Sequence, residues 1–241
     1  AKVSLRLPIK NEPLEWEQDL TKWVCANNFG LTNNDGADDS EAFQKAFDHA
    51  ALIGATTVYF RGVKGAEPNW LNLKREVHVH GSVRHVIGLG FGRILNDGGG
   101  KMVVDDRSAA LVSFRHIDSF GGPPIIVENR STNNQMLVES CGVTIEGTGT
   151  GDIFATNVPA HLHLRQPGQS CWIRSLNNEG TSEQGSAENL GSKLWVMGTK
   201  SEGKGLRFIT RNGGQTEIFG GYEYSTEPVE PDDTRPMFWS E

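Results

Sequence analysis

The sequence predicts an all-β chain wound as a parallel β-helix, a solenoid, with one amphipathic α-helix capping its N-terminal end. Three observations carry that expectation: a lone helix signal with both ends marked, about a dozen short apolar stretches after it, and connectors poor in hairpin turn pairs. At 241 residues the chain is long enough to bury a core, and one domain is the default. Hydrophobic residues at 37% and charged ones at 22% place it among folded chains, while 29 glycines and 10 prolines leave little room for long helices.

Residues 1–33 read as an N-terminal extension packing on the helix. The helix is expected over 38–51. Asp38 and Glu41 have capping-box spacing, Phe43, Ala46, Phe47 and Ala50 recur at i, i+3, i+4 and i+7, and Gly54 supplies the stop.

Residues 34–226 then form the solenoid, with strands expected at 57–60, 77–80, 84–89, 111–114, 125–128, 137–139, 143–146, 161–164, 172–174, 194–197, 207–210 and 217–219. They are too short and too rich in Val, Ile, Phe and Trp for helices. Asp35-Gly36 and Asp97-Gly98 are the chief hairpin-type pairs, and the first precedes the helix. A solenoid coil supplies about three short strands and stacks on the next at roughly 4.8 Å, so these strands make about four to five coils. An uncovered end of such a stack templates aggregation, and the helix is suited to plug the first coil. Residues 227–241, with Pro228, Pro231 and Pro236, read as a Pro-rich tail or linker, leaving room for a further domain or a second chain.

A formal net charge of −7 without any dense Lys/Arg run argues against nucleic acid and anionic membrane as partners. No apolar run approaches the roughly 20 residues of a membrane span, and no leader precedes a cleavage site, so a secreted or extracytoplasmic protein with its export signal removed is expected. Cys25, Cys141 and Cys171 are too few for a disulfide scaffold and lack zinc spacing; Cys141 and Cys171 are open to pairing or to roles as small core residues.

The run Asn34-Asp35-Gly36-Ala37-Asp38-Asp39-Ser40-Glu41-Ala42-Phe43-Gln44-Lys45-Ala46-Phe47, followed by Thr57-Val58-Tyr59-Phe60, resembles the opening of pectate-lyase-like β-helix proteins, as does Phe29-Gly30 before it. Leu194-Trp195-Val196-Met197-Gly198-Thr199-Lys200-Ser201-Glu202-Gly203 and Gly213-Gly214-Gln215-Thr216-Glu217-Ile218-Phe219-Gly220-Gly221 are similar to the late coils of bacterial members and, more distantly, of the double β-helix β-1,3-glucanases. The resemblance brackets residues 20–225 and implies a right-handed helix that meets polysaccharide. Those glucanases pair two β-helices, whereas one is present here, so a cleft between two halves would need another chain.

Glycoside hydrolysis needs two carboxyl groups flanking the bond. The resemblance points to the late coils for them, hence to Glu202, Glu217, Glu223 and Glu227 as candidate catalytic residues, with turn-holding roles as the plainer alternative. Tyr222 and Tyr224 offer faces for sugar rings. Lyase chemistry instead needs a base and a cation, and His161, His163 and Arg165 share one strand face by period two, with Asp152 in the preceding segment. Trp172, Arg174 and Trp195 are further candidates for substrate binding, against core stacking for both indoles.

No cofactor is implied. Calcium is a candidate ligand through Asp105-Asp106 or Asp232-Asp233, though neither has a loop of alternating oxygen ligands, and His78, His80 and His85 lack the partners of a metal set. The expected functions are therefore a glycoside hydrolase, a non-catalytic glycan-binding or structural module, and a polysaccharide lyase or tailspike-like depolymerase.

Overall fold

The computed structural model describes residues 4–62, 70–90, 93–119, 122–179, 186–203, 205–226, 228 and 236–241. Short strands dominate, gathered into sheets of nine, eight, four and two strands. Among the described residues every ladder between named strands is parallel. The chain visits the sheets in rotation. From Gln135–Glu139 in the nine-stranded sheet it crosses to Thr144–Gly147 in the eight-stranded sheet, then returns at Ile153–Thr156, beside the strand it left. Val158–Pro159 opens the four-stranded sheet, and His161–Leu164 follows beside Thr144–Gly147.

All twelve expected strands are present within a residue or two of their ends, but the nine-stranded sheet exceeds the expected four to five coils. The surplus lies in strands without clean apolar alternation, such as Arg93–Asn96, Thr199–Glu202 and Gly221–Tyr224, and in two-residue pieces such as Leu176–Asn177. The reading of 227–241 as a tail is also corrected: Phe238–Ser240 pairs in parallel with Phe208–Arg211 and adds a strand to the eight-stranded sheet. Its apolar pair Phe238-Trp239 outweighs the preceding prolines, with Phe238 stacked on Phe208 at 5.6 Å.

The helix runs Ser40–Ile53 and buries Phe43, Ala46, Phe47 and Ala50. Gly54, at φ 71°, takes the left-handed conformation that ends it. The expected capping box is absent. Asp38, Asp39 and Ser40 instead bind backbone amides of the next turn: Asp39 accepts from Asn72 at 2.8 Å and Thr32 at 3.1 Å, and Ser40 Oγ accepts from Lys74 and Arg75. Gln44 bonds both the N–H and the C=O of His78, satisfying the first edge strand of the eight-stranded sheet as a neighbouring strand would. This is how a helix closes a parallel stack.

Residues 26–29 pack against the helix, with Phe29 5.3 Å from His49. Residues 4–17 do otherwise. They lie along the outer face of the nine-stranded sheet, crossing it from Glu217, which accepts from Ser4 Oγ, to Thr56, which donates to Glu17 at 2.8 Å. Leu7 is buried with Leu111, Leu137, Phe154, Trp172 and Trp195. The reason is an apolar row on that outer face, which the chain must cover: Leu137, Phe154, Trp172 and Trp195 are register partners on successive strands.

The same row begins with Thr57, His85 and Ser113. His85 is buried, bonds Ser113 at 2.8 Å, and has its pKa lowered to about 4, first by burial and then by the Arg115 and Arg84 charges, with Glu17 opposing. The unfolded chain therefore takes up a proton near pH 6.5 that the folded chain refuses until about pH 4. Stability should fall as pH drops through that window, with His161 adding the same sign. Thermal midpoints measured from pH 7 to 4 should show a smaller decline for His85→Gln than for the parent; equal slopes would remove His85 as the cause.

Candidate functional site

Strand alternation turns every second residue of the eight-stranded sheet outward, and many of the outward positions in its middle are ionisable. One column passes through Glu128, Glu146, His163 and Glu188, each the register partner of the next. Parallel neighbours lie about 4.8 Å apart, so three carboxyl groups and an imidazole stand in line along the stack. Lys101, Arg130 and Arg165 flank them.

Lys101 Nζ lies 2.8 Å from Glu146 and 3.1 Å from Glu128. Arg130 bonds Glu128 at 2.9 and 3.1 Å and also reaches Glu76 at 2.9 Å, while Thr148 Oγ1 donates to Glu128 at 2.6 Å. Burial pushes the Glu128 carboxyl up, but the bonds from Arg130, Thr148 and Lys101 outweigh it and hold its pKa at about 2. Burial likewise opposes the charge on Lys101, and its two carboxylate partners prevail, raising its pKa. Glu128 is thus a fixed anion that organises two cations. Glu146 has only Lys101 as a side-chain partner among the described residues.

His163 Nδ1 lies 3.1 Å from Glu188, and Arg165 reaches the same carboxylate at 3.9 Å. A carboxylate on one ring nitrogen fixes the imidazole's orientation and leaves Nε2 to hold or accept a proton. His161, one outward position earlier, is half-buried; burial and then the His163 charge lower its pKa, which keeps it a neutral base. With Pro159, Ala160, Asn177 and Glu179 it lines a recess of about 130 Å³.

His161 and His163 share one face of their strand, Arg165 lies just past its end and reaches Glu188, and the structure joins them to Glu128, Glu146, Glu188 and Lys101, which the sequence reading passed over. The available signal was an apolar residue followed by Glu at matching strand positions, in Val127-Glu128-Asn129 and Ile145-Glu146-Gly147. Asp152 stands apart, paired with Lys10 at 2.7 Å.

The late-coil glutamates do not converge. Glu217 is on the nine-stranded sheet, bonded to Ser4. Glu202 and Glu223 are on adjacent strands of the four-stranded sheet, but Ser201 is the register partner of Glu223, so the two glutamates face opposite sides. Glu202 faces out, bonded to Lys200 and Tyr224, which lower its pKa; Lys200 also binds Glu179. Glu223 faces in toward Arg207, 4.0 Å away, and burial raises its pKa over the opposing influence of Ser201 and Arg207. Tyr222 and Tyr224 are exposed with ring centroids 5.3 Å apart, a small aromatic surface beside Glu202. Glu227 lies outside the described residues.

Trp172 and Trp195 are buried beneath residues 4–17, not offered to solvent, and Arg174 is bonded to Glu12, Asn11 and the Lys10 carbonyl. Core-like stacking is the role the structure gives both indoles. Asp105 is taken by Arg107 and His78, and Asp106 by Ser131 and Thr132, so that pair offers no calcium site; Asp232 and Asp233 lie outside the described residues. His80 pairs with Asp48. Among the described residues no group of three or more His, Cys, Asp or Glu could hold a metal, Cys141 and Cys171 are free and buried, and no helix is long and apolar enough to cross a membrane. No protein-family model matches the chain, and neither a curated protein nor a solved structure matches it.

Proposed function

We propose that the chain is a right-handed parallel β-helix of the pectate-lyase-like kind that acts on polysaccharide, with the outer face of the eight-stranded sheet as its site and glycoside hydrolysis as its reaction. Right-handedness follows the rule for crossovers between parallel strands. The observation that carries the site is the column itself: Glu146 and Glu188 flank His163, two strands apart, which is roughly 9–10 Å along the stack. Two carboxyl groups about 6.5–9.5 Å apart leave room for a water beside a glycosidic bond, the spacing of inverting hydrolysis, and the strand spacing puts this pair at the upper edge of that range. Glu146 acts on that water as base, and the proton shared between His163 and Glu188 goes to the leaving oxygen. Glu76, Glu128, Glu146 and Glu188 outnumber Lys101, Arg130 and Arg165, so the face suits a neutral glycan better than a polyuronate. An extracytoplasmic setting accords with such a substrate.

A lyase is the second reading, favoured by the His161 imidazole, whose pKa burial lowers, with Arg165 just past the end of its strand. One assay separates the readings. The purified chain is incubated with soluble β-glucans, pectin and alginate while reducing ends and the absorbance of unsaturated products are followed together. Reducing ends alone are expected, with Glu146→Gln and Glu188→Gln each lowering turnover by about 10²–10⁴-fold at little change in melting temperature. Both signals together would make it a lyase, full activity in both variants would move the site elsewhere, and silence on every glycan would leave a binding module.

A further inference from the structure

The two ends of the stack are finished differently. At one, the helix Ser40–Ile53 closes the sheets, and Gln44 occupies the edge of the first strand of the eight-stranded sheet. At the other, Gln215–Ile218, Gly221–Tyr224 and Phe238–Ser240 end the nine-, four- and eight-stranded sheets, and among the described residues no strand lies beyond any of them. The interior opens there. Phe208 is 2% exposed, but Phe238, the next ring in its stack, is 52% exposed. A recess of about 460 Å³ is lined in part by Phe208, Thr210, Thr216, Ile218, Phe238 and Ser240. An open core above three strand edges invites a further layer.

A second copy fits this end in one way. It cannot add by its own opposite end, which the helix blocks, so like ends must meet about a two-fold axis lying across the stack. Such an axis reverses the strands of the partner, and the edges meet as antiparallel ladders. Placed through the eight-stranded sheet, it lays Phe238–Ser240 on the same strand of the partner, and Gln215–Ile218 on the partner's Gly221–Tyr224.

The strands agree in length and in phase. The three-residue strand, centred on Trp239, meets itself with Phe238 opposite Ser240, both on the inward side. The two four-residue strands meet with Thr216 opposite Glu223 and Ile218 opposite Gly221, again inward side to inward side. An axis through either other sheet would set a four-residue strand end to end against itself and bring inward side chains opposite outward ones, which a sheet with one buried face rejects. The chemistry agrees as well. Gly221 leaves room opposite Ile218, and on the outer side the Tyr222 phenol stands opposite the Glu217 carboxylate.

We infer that the end formed by these three strands is the interface of a two-fold dimer of this chain. The dimer runs two eight-stranded sheets into one, with the two Glu188 residues five strand spacings apart, about 24 Å. It does not depend on what that outer face binds. Strands of four, four and three residues contribute fewer than the 20–30 residues a side of a standard interface, so a Kd on the order of 10 µM is expected.

Sedimentation velocity of the whole chain from about 1 to about 200 µM should show monomer passing to dimer and nothing larger. Trp239→Cys should yield a covalent dimer on mild oxidation, because residue 239 faces its own copy with Cβ atoms about 4.5–5.5 Å apart. Leu52→Cys, exposed on the helix at the closed end, should crosslink no faster than the parent. Tyr222→Glu, set against the partner's Glu217, should raise Kd about tenfold, and Tyr222→Lys should not. A monomer at every concentration overturns the inference, and so do species larger than a dimer. A dimer in which Trp239→Cys stays unlinked, or Leu52→Cys links in its place, overturns it too.

Discussion

Phe43→Ala should lower the unfolding free energy by about 3–5 kcal/mol, the cost of removing a fully buried aromatic ring from a site that cannot collapse. Phe43 is completely buried between Phe47, at 6.4 Å, and Phe60, which meets it edge-on at 5.5 Å and 83°. Phe60 belongs to the second strand of the nine-stranded sheet, so the ring joins the helix to the stack it closes. Urea unfolding of parent and variant measures the difference, and the variant should also aggregate faster because a loosened cap bares parallel strand edges. A loss below about 1 kcal/mol would mean that the helix merely rests on the first coil.

Asp39→Ala is expected to cost roughly 2–5 kcal/mol by a different route. Asp39 is buried, and its two oxygens accept the amides of Thr32 and Asn72, which the alanine would leave without partners at about 1–3 kcal/mol each. Burial raises the Asp39 pKa against those bonds, so the acceptor is retained in a place that disfavours its charge. Asp39→Asn keeps one carbonyl acceptor and should recover part of the loss. If the alanine and asparagine variants unfold at the parent's urea midpoint, the Asp-Asp-Ser run has no part in holding residues 70–75 to the helix.

Those two residues also show what was legible. The helix declared itself through Phe43, Ala46, Phe47 and Ala50, because burial on one helical face leaves a periodic trace. Asp38-Asp39-Ser40 was visible as a polar signal at the helix start, yet the amides it binds at Asn72, Lys74 and Arg75 are more than thirty positions away, and amides have no signature in the side-chain sequence. Strands such as His161–Leu164, whose burial alternates, were readable for the same reason as the helix. The corners were less so: Ser140 takes a positive φ of 53° after its strand, whereas His116, Asn157 and Asn212, each at 55° after theirs, are of types that favour this conformation.

The candidate site divides in the same way. His161 and His163 were legible because period two acts within one strand. Glu128, Glu146 and Glu188 join them through register between strands, which depends on the lengths of the intervening turns. Registers that differ by one residue send side chains to opposite faces, and this is why Glu202 and Glu223, close in the late-coil motif, are separated by the thickness of a sheet.

The segment spanning the nine-stranded sheet from Glu217 to Thr56 acts as a gauge of molecular length. Duplicating one coil would extend the stack by about 4.8 Å, equal to about one and a half residues of extended chain. Such a duplication would pull Ser4 out of reach of its anchor unless the tether grew in step. Stacked repeats ordinarily gain and lose members freely because each contacts only its neighbours; here the two ends of the nine-stranded sheet are tied to a common cord, whose extent limits how many strands can lie between them.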